Sequence, residues 1–391
     1  MKCHQLARAV VTAAVMPVLL LTACSFTPPK APDTGALWRD DRFLPVALPD
    51  EGEILSVSDD MRAYLQGSAL RQIRTQGSLR GLVSALEHET QLKLEYDAGK
   101  TRTAAEAFAA RKGNCLSLTL MTAALAGELG LRVEYHRVLT EVSWDRRHDM
   151  LLKSGHVNIV LEPGLASDQS YPRKGLVIDF LPGADLKGSR FIVIDTATVL
   201  GMFMNNRAVE SLASGDLDSA YAWAKRAIAK APTWLESYNT LGVIYQRRGM
   251  LDTAEMALQA VLSREPENIA ALANLAEVLN RSGKQHEASE VYARLQRNEA
   301  QPPLFYFDEG AAALKRGEYE SAREHFKKEL DHNANHAPSY AGLAIANLQL
   351  GERLSSNRYM KLAVESAVDT DERQIYSAKL ARLKSANSRS H

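Results

Sequence analysis

One cysteine, Cys115, stands in "RKGNCLSLTLMTAALAGELG" (residues 111–130), directly after a Lys-Gly-Asn turn and directly before a long apolar helical pattern. A thiol at a helix start lies in the positive end of the backbone dipole, which favours the thiolate and therefore nucleophilic attack. The plainer reading is a cysteine that only fills core space. Two further residues decide whether chemistry is available. His156 opens the apolar run "HVNIVLEP" (156–163) behind Ser154-Gly155, and Asp179 interrupts the apolar run "GLVIDF" (175–180). A carboxylate inside an apolar strand needs a partner, and an imidazole is a natural one. Cys115, His156 and Asp179 thus make a nucleophile, base and orienting acid suited to acyl transfer.

The other titratable groups fit lesser roles. His136 lies within "VEYHRV" and reads as a packed or surface histidine, His148 belongs to the charged stretch "WDRRHDM", and His88 closes a helix. Asp195 rivals Asp179, but Thr196-Ala197-Thr198 behind it reads as a helix entry. There is no H-E-x-x-H, no EF-hand loop and no G-x-x-x-x-G-K-[ST], so no metal, nucleotide or other cofactor is expected.

The elements that must hold these three residues follow from pattern. Helices are expected near 57–66 and 78–88, an extended piece at "LKLEY" (92–96), and a helix from Ala104 to Arg111 opened by a Thr103–Glu106 capping box. The cysteine helix comes next, then short apolar or alternating runs at 131–139, 156–163, 175–180 and 190–195. Helices followed by closely spaced strands predict an α+β domain with an antiparallel sheet on the cysteine helix.

The string "TAAEAFAARKGNCLSLTLMTAALAGELGLRVEYHRV … GHVNIVL … LVIDF" resembles the transglutaminase-like superfamily. That resemblance implies a papain-like fold with Cys115 as nucleophile, His156 as base and Asp179 as orienting acid. Where such families often carry an aromatic two residues after the histidine, this chain has Asn158, and Phe180-Leu181 stands where Pro-Thr is usual. These departures suit a divergent branch of the kind joined to tetratricopeptide repeats.

The chain begins "MKCHQLARAVVTAAVMPVLLLTAC": a basic front, an apolar run and Leu21-Thr22-Ala23-Cys24, which resembles a bacterial lipobox. Residues 1–23 are expected as a lipoprotein signal peptide and Cys24 as the acylated first residue of the mature chain, anchored without a spanning helix. Ser25 instead of Asp after it points to the outer membrane, facing the periplasm. Of the three cysteines, Cys3 would leave with the signal and Cys24 be acylated. Cys115 then remains alone, so no disulfide framework is possible. Loss of Lys2 and Arg8 leaves 45 basic against 47 acidic residues, a balance that argues against nucleic acid. Residues 24–50, with prolines in "TPPKAP" and at 45 and 49, read as a tether.

The second half repeats. Glycines stand at 215, 249, 283, 317 and 351, each 34 residues after the last. Five positions beyond them come Ala220, Ala254, Ala288, Ala322 and, in the fifth copy, Ser356. The spacing resembles the tetratricopeptide repeat, a helix–turn–helix unit whose glycine ends the first helix and whose alanine lets the two helices approach. Five units are expected over 201–370, with a capping helix and tail over 371–391, behind a transglutaminase-like domain at 51–200. The concave surface of such a solenoid implies a bound protein or peptide. Together these readings predict a lipid-anchored periplasmic cysteine hydrolase of peptide or amide bonds whose repeats hold substrate or partner. A non-catalytic adaptor working through its repeats is the alternative, and a protein-crosslinking transglutaminase the third option.

Overall fold

The computed structural model describes residues 32, 34–87, 92, 94–147, 150–164, 175–180, 190–298, 304–333, 336–367 and 370–388, all within one compact unit, Pro32–His391. The leader, Cys24, His88 and His148 lie outside the described residues. No helix among those described is long and apolar enough to cross a membrane.

The first layer is helical. α1 (Asp59–Gln66) opens at Ser58, whose hydroxyl accepts from the Met61 N–H. α2 (Leu70–Glu87) begins earlier than the expected 78 and bends at Gly77, whose φ of +79° is non-helical. The extended piece at 92–96 contributes only β1 (Glu95–Tyr96), which pairs in parallel with β2 (Lys112–Gly113). Between them α3 (Ala104–Ala110) carries the complete Thr103–Glu106 capping box. α4 (Cys115–Glu128) follows and is buried along its whole stretch from Leu116 to Ala126. A helix apolar all round must be enclosed on every side. Each of its buried leucines contributes about 1.5–3 kcal/mol by leaving water.

The sheet is antiparallel with order β5-β4-β3-β6, built from β3 (Arg132–Arg147), β4 (Met150–Glu162), β5 (Leu176–Ile178) and β6 (Arg190–Ile194). Val157, Ile159 and Leu161 of β4 join α4 in the core, and His156, Asn158 and Val160, which alternate with them, are buried as well. The β3–β4 hairpin runs further than the apolar runs at 131–139 and 156–163 suggest. After a shift between Val138 and Ser143, pairing resumes as far as Arg147↔Met150.

The remainder is an array of five helix pairs: α5 (Thr196–Ala213) with α6 (Leu217–Lys230), α7 (Glu236–Arg248) with α8 (Leu251–Leu262), α9 (Ile269–Arg281) with α10 (Gln285–Asn298), α11 (Phe305–Arg316) with α12 (Tyr319–His332), and α13 (Ala337–Gln349) with α14 (Arg353–Ser366). α15 (Thr370–Ser388) covers the end, burying Tyr376 against a cluster that includes Ala341 and Met360. The five phased glycines all hold φ between +77° and +84°. Ala220, Ala254, Ala288 and Ala322 are buried, and so is Ser356, whose hydroxyl has no hydrogen-bond partner among the described residues. α5 is capped by Asp195, whose carboxylate accepts the Thr198 N–H at 2.8 Å, so the first unit's opening helix crosses the boundary placed at 200. One core runs from the sheet domain through Leu295, while the fourth and fifth pairs carry clusters of their own.

Residues 37–50, expected as tether, lie against the array. Phe43 stacks on Tyr221 with ring centroids 4.1 Å apart, the Tyr245 hydroxyl donates to the Leu37 carbonyl, and the Arg39 N–H donates to the Tyr221 hydroxyl at 3.0 Å. Lys225 grips both oxygens of Asp40 at 2.6 and 2.7 Å. Proline and charge give this stretch a linker's composition, but Leu37 and Phe43 are core residues.

Candidate cysteine–histidine–aspartate site

The turn before α4 fixes Cys115. Gly113 has no room for a side chain, because a Cβ there would lie 2.7 Å from the Ser117 Cβ. Asn114 is the N-cap, and its Oδ1 accepts the Ser117 N–H at 2.9 Å and the Ser117 hydroxyl at 2.8 Å. Cys115 therefore occupies the first helical position, half-buried, where unpaired backbone N–H groups converge.

His156 enters from β4, buried, at the end of the regular pairing with β3, opposite Val138. Asp179 directly follows β5, and the register Ile159↔Ile178 places it across from Asn158. Its Oδ2 lies 2.6 Å from His156 Nε2 and accepts the Asn158 side-chain N–H at 3.1 Å. The second ring nitrogen, Nδ1, is buried without a well-formed hydrogen bond, and Cys115 is the second group acting on the ring. Burial alone would pull the imidazolium down. The bond to Asp179, together with the interaction with Cys115, outweighs it and raises His156 to about 9.

The three residues named from sequence are thus brought together, one on a helix start and two on neighbouring strands. A cationic imidazole beside the sulfur, oriented from behind by a carboxylate, has the layout for attack on a carbonyl and protonation of a leaving group. The two rival groups among the described residues are engaged elsewhere. Asp195 caps α5, and His136 pairs with Glu134 Oε1 at 2.7 Å while stacking on Phe191 at 4.0 Å. Asn158 is a member of the site that sequence reasoning passed over. Its position two residues beyond His156, on the same strand face, is the signal that could have found it.

Comparison with known proteins bears on the repeats. A family model described as the TT21 fifth ARM repeats domain matches residues 236–328, inside the array. Among solved structures, MamA is 20% identical, covering 41% of this chain and 93% of its own, with a TM-score of 0.24. A thermophilic TPR protein of Thermus thermophilus is 21% identical over 46% of this chain and 99% of its own, with a TM-score of 0.30. A tetratricopeptide repeat protein of Parabacteroides merdae is 23% identical over 48% and 75%, with a TM-score of 0.25. No curated protein matches the chain. The family-model likeness is to a repeat domain, and it falls on residues 236–328, within the array.

Proposed function

We propose that the protein couples a protein-binding repeat array to a cysteine-centred acyl-transfer site, in which Cys115 attacks an amide carbonyl and His156 protonates the departing amine. The observation that carries this reading is the 2.6 Å bond from Asp179 to His156 on a ring that is also acted on by a thiol at a helix start. The acyl group then passes to water in a peptidase or amidase, or to an amine in a crosslinking transglutaminase. Hydrolysis is the preferred reading because water is the abundant acceptor at a half-buried thiol. The chemistry is of the transglutaminase-like kind that the motif around Cys115 resembles. Acylation at Cys24 on the periplasmic side of an outer membrane belongs to the same proposal.

Iodoacetamide tests it on the folded protein at neutral pH. Cys115 is expected to alkylate faster than free cysteine, and His156→Ala to slow it roughly tenfold. Labelling that begins only on denaturation overturns the catalytic reading.

A second reading has its own support. The family-model match falls on repeats alone, which favours an adaptor whose array is the working part and whose sheet domain is scaffold. A binding partner that is retained at full affinity by Cys115→Ala, with no turnover by the parent protein, identifies that case.

A further inference from the structure

The turn that presents Cys115 is tied to the repeat array by a continuous run of hydrogen bonds. In the first helix of the array, Arg207 Nη1 donates to Glu210 Oε2 at 2.7 Å and to the Thr101 carbonyl at 3.4 Å. Glu210 Oε1 accepts the Thr101 N–H at 2.6 Å. The Thr101 hydroxyl accepts from Asn114 Nδ2 at 2.8 Å, and Asn114 is the residue that caps the cysteine helix. The same cap is braced from its other side, where the Arg102 N–H donates to the Ser117 hydroxyl at 2.8 Å. Thr101, Asn114 and Ser117 are all buried.

These contacts do more than fill space. The Asn114 amide has a fixed rotamer because both of its ends are bonded: the oxygen holds the first turn of α4 and the nitrogen is held by Thr101. An unbonded nitrogen in that setting would be a buried unsatisfied donor, so loss of the Thr101 hydroxyl drives Asn114 to another rotamer. The first turn of the helix then loses its cap, and Cys115 stands on that turn. Thr101 in turn is fixed through its own backbone by Glu210, on an element 109 residues away in the chain. Arg207 completes the clasp and lies 6.0 Å from the Trp223 ring on the second helix of the same repeat.

We infer that Glu210 and Thr101 are positioning residues for Cys115, so that the first repeat sets the placement of the nucleophile and can alter it when the array moves. This rests on the acyl-transfer reading above and names a control of that same site. A ligand drawn into the array that shifts α5 relative to α4 acts on Glu210, and through Thr101 and Asn114 on the thiol.

The full-length protein tests this with iodoacetamide as probe. Thr101→Val keeps the side-chain volume and removes the acceptor, while Thr101→Ser keeps the acceptor. Thr101→Val is expected to slow folded-state alkylation of Cys115 roughly tenfold, as misplacement of a reacting group does, and Thr101→Ser to restore it. Glu210→Ala is expected to slow it similarly. Both readings are separated by running His156→Ala beside them. If His156→Ala slows alkylation and neither Thr101→Val nor Glu210→Ala does, the positioning inference is overturned while the site stands. If His156→Ala itself has no effect, the acyl-transfer reading fails first. A purely structural role lowers the melting temperature of Thr101→Val while leaving folded-state alkylation at the parental rate, and that outcome also overturns the inference.

Discussion

His156 carries a pH signature that falls between neutral and mildly basic pH. Its ordinary value is 6.5 and its folded value is about 9, so the folded state binds the proton more tightly than the unfolded chain does. The stabilisation is therefore fully present below pH 6.5 and is lost as pH rises through about 9. On the scale of 1.36 kcal/mol per unit, the full effect approaches roughly 3 kcal/mol. Urea unfolding across that window is expected to show the decline in the parent and a flatter profile in Asp179→Asn. An identical decline in both proteins would remove the ion pair as its source. Asn158→Ala leaves Asp179 with its histidine bond but without the amide, and a threefold or so slower alkylation of Cys115 is expected, less than in Asp179→Asn. At this scale the sequence was informative about charge in apolar settings: an acid within "LVIDF" demanded a partner and has one. The spacing of Asn158 from His156 was legible but its role was not, because an amide in a strand carries no demand for a particular neighbour. Its meaning comes from the β4–β5 register, which aligns it with Asp179.

Elements were legible where their geometry requires a particular residue. Gly249 sits at φ +81° past the end of α7, and a Cβ there would meet nothing within 4 Å. The cost of a side chain is then conformational alone. Gly249→Val is expected to lose on the order of 1–2 kcal/mol, because a β-branched residue is poorly tolerated in the left-handed region. Gly249→Asn is expected to lose less, since asparagine visits that region more readily. Thermal unfolding of the two variants checks the order, and equal losses would place the cost in packing instead of backbone. The regular repeat of this glycine is why the array could be read as a period. The far half of the β3–β4 hairpin gave no such sign. Ladder hydrogen bonds are made by backbone groups, so pairing through Trp144–Asp145–Arg146–Arg147 leaves no apolar alternation to read. The Glu210–Thr101 link was equally hidden, since two residues 109 positions apart have no spacing rule to betray them.

Across the whole molecule, the segment before the first helix changes how the parts are held. Its composition is that of a linker, yet Phe43 lies between the Tyr221 ring and the Arg248 guanidinium, the latter 5.0 Å from its centroid. Backbone groups along the same stretch are paired with array side chains: Arg39 with Tyr221, Arg42 with Arg248 and Leu44 with Asp218. Burial accounts for Tyr221 being pushed up to about 12, with its hydroxyl also donating to Asp40 at 2.9 Å. The strap thus completes the core at the first and second repeats, and the same core continues into the cysteine helix. Phe43→Ala is expected to cost about 3–5 kcal/mol, as truncation of a buried phenylalanine does. Amide exchange offers the sharper measurement, because a seated strap protects the Arg39 and Leu44 N–H groups that donate to Tyr221 and Asp218. In Phe43→Ala both amides should exchange faster, while amides of α13 and α14, which lie in separate clusters, keep the parental rate. Rapid exchange at Arg39 and Leu44 already in the parent would mean that the stretch is a tether after all, and that the aromatic rings of α6 and α7 close the core without it.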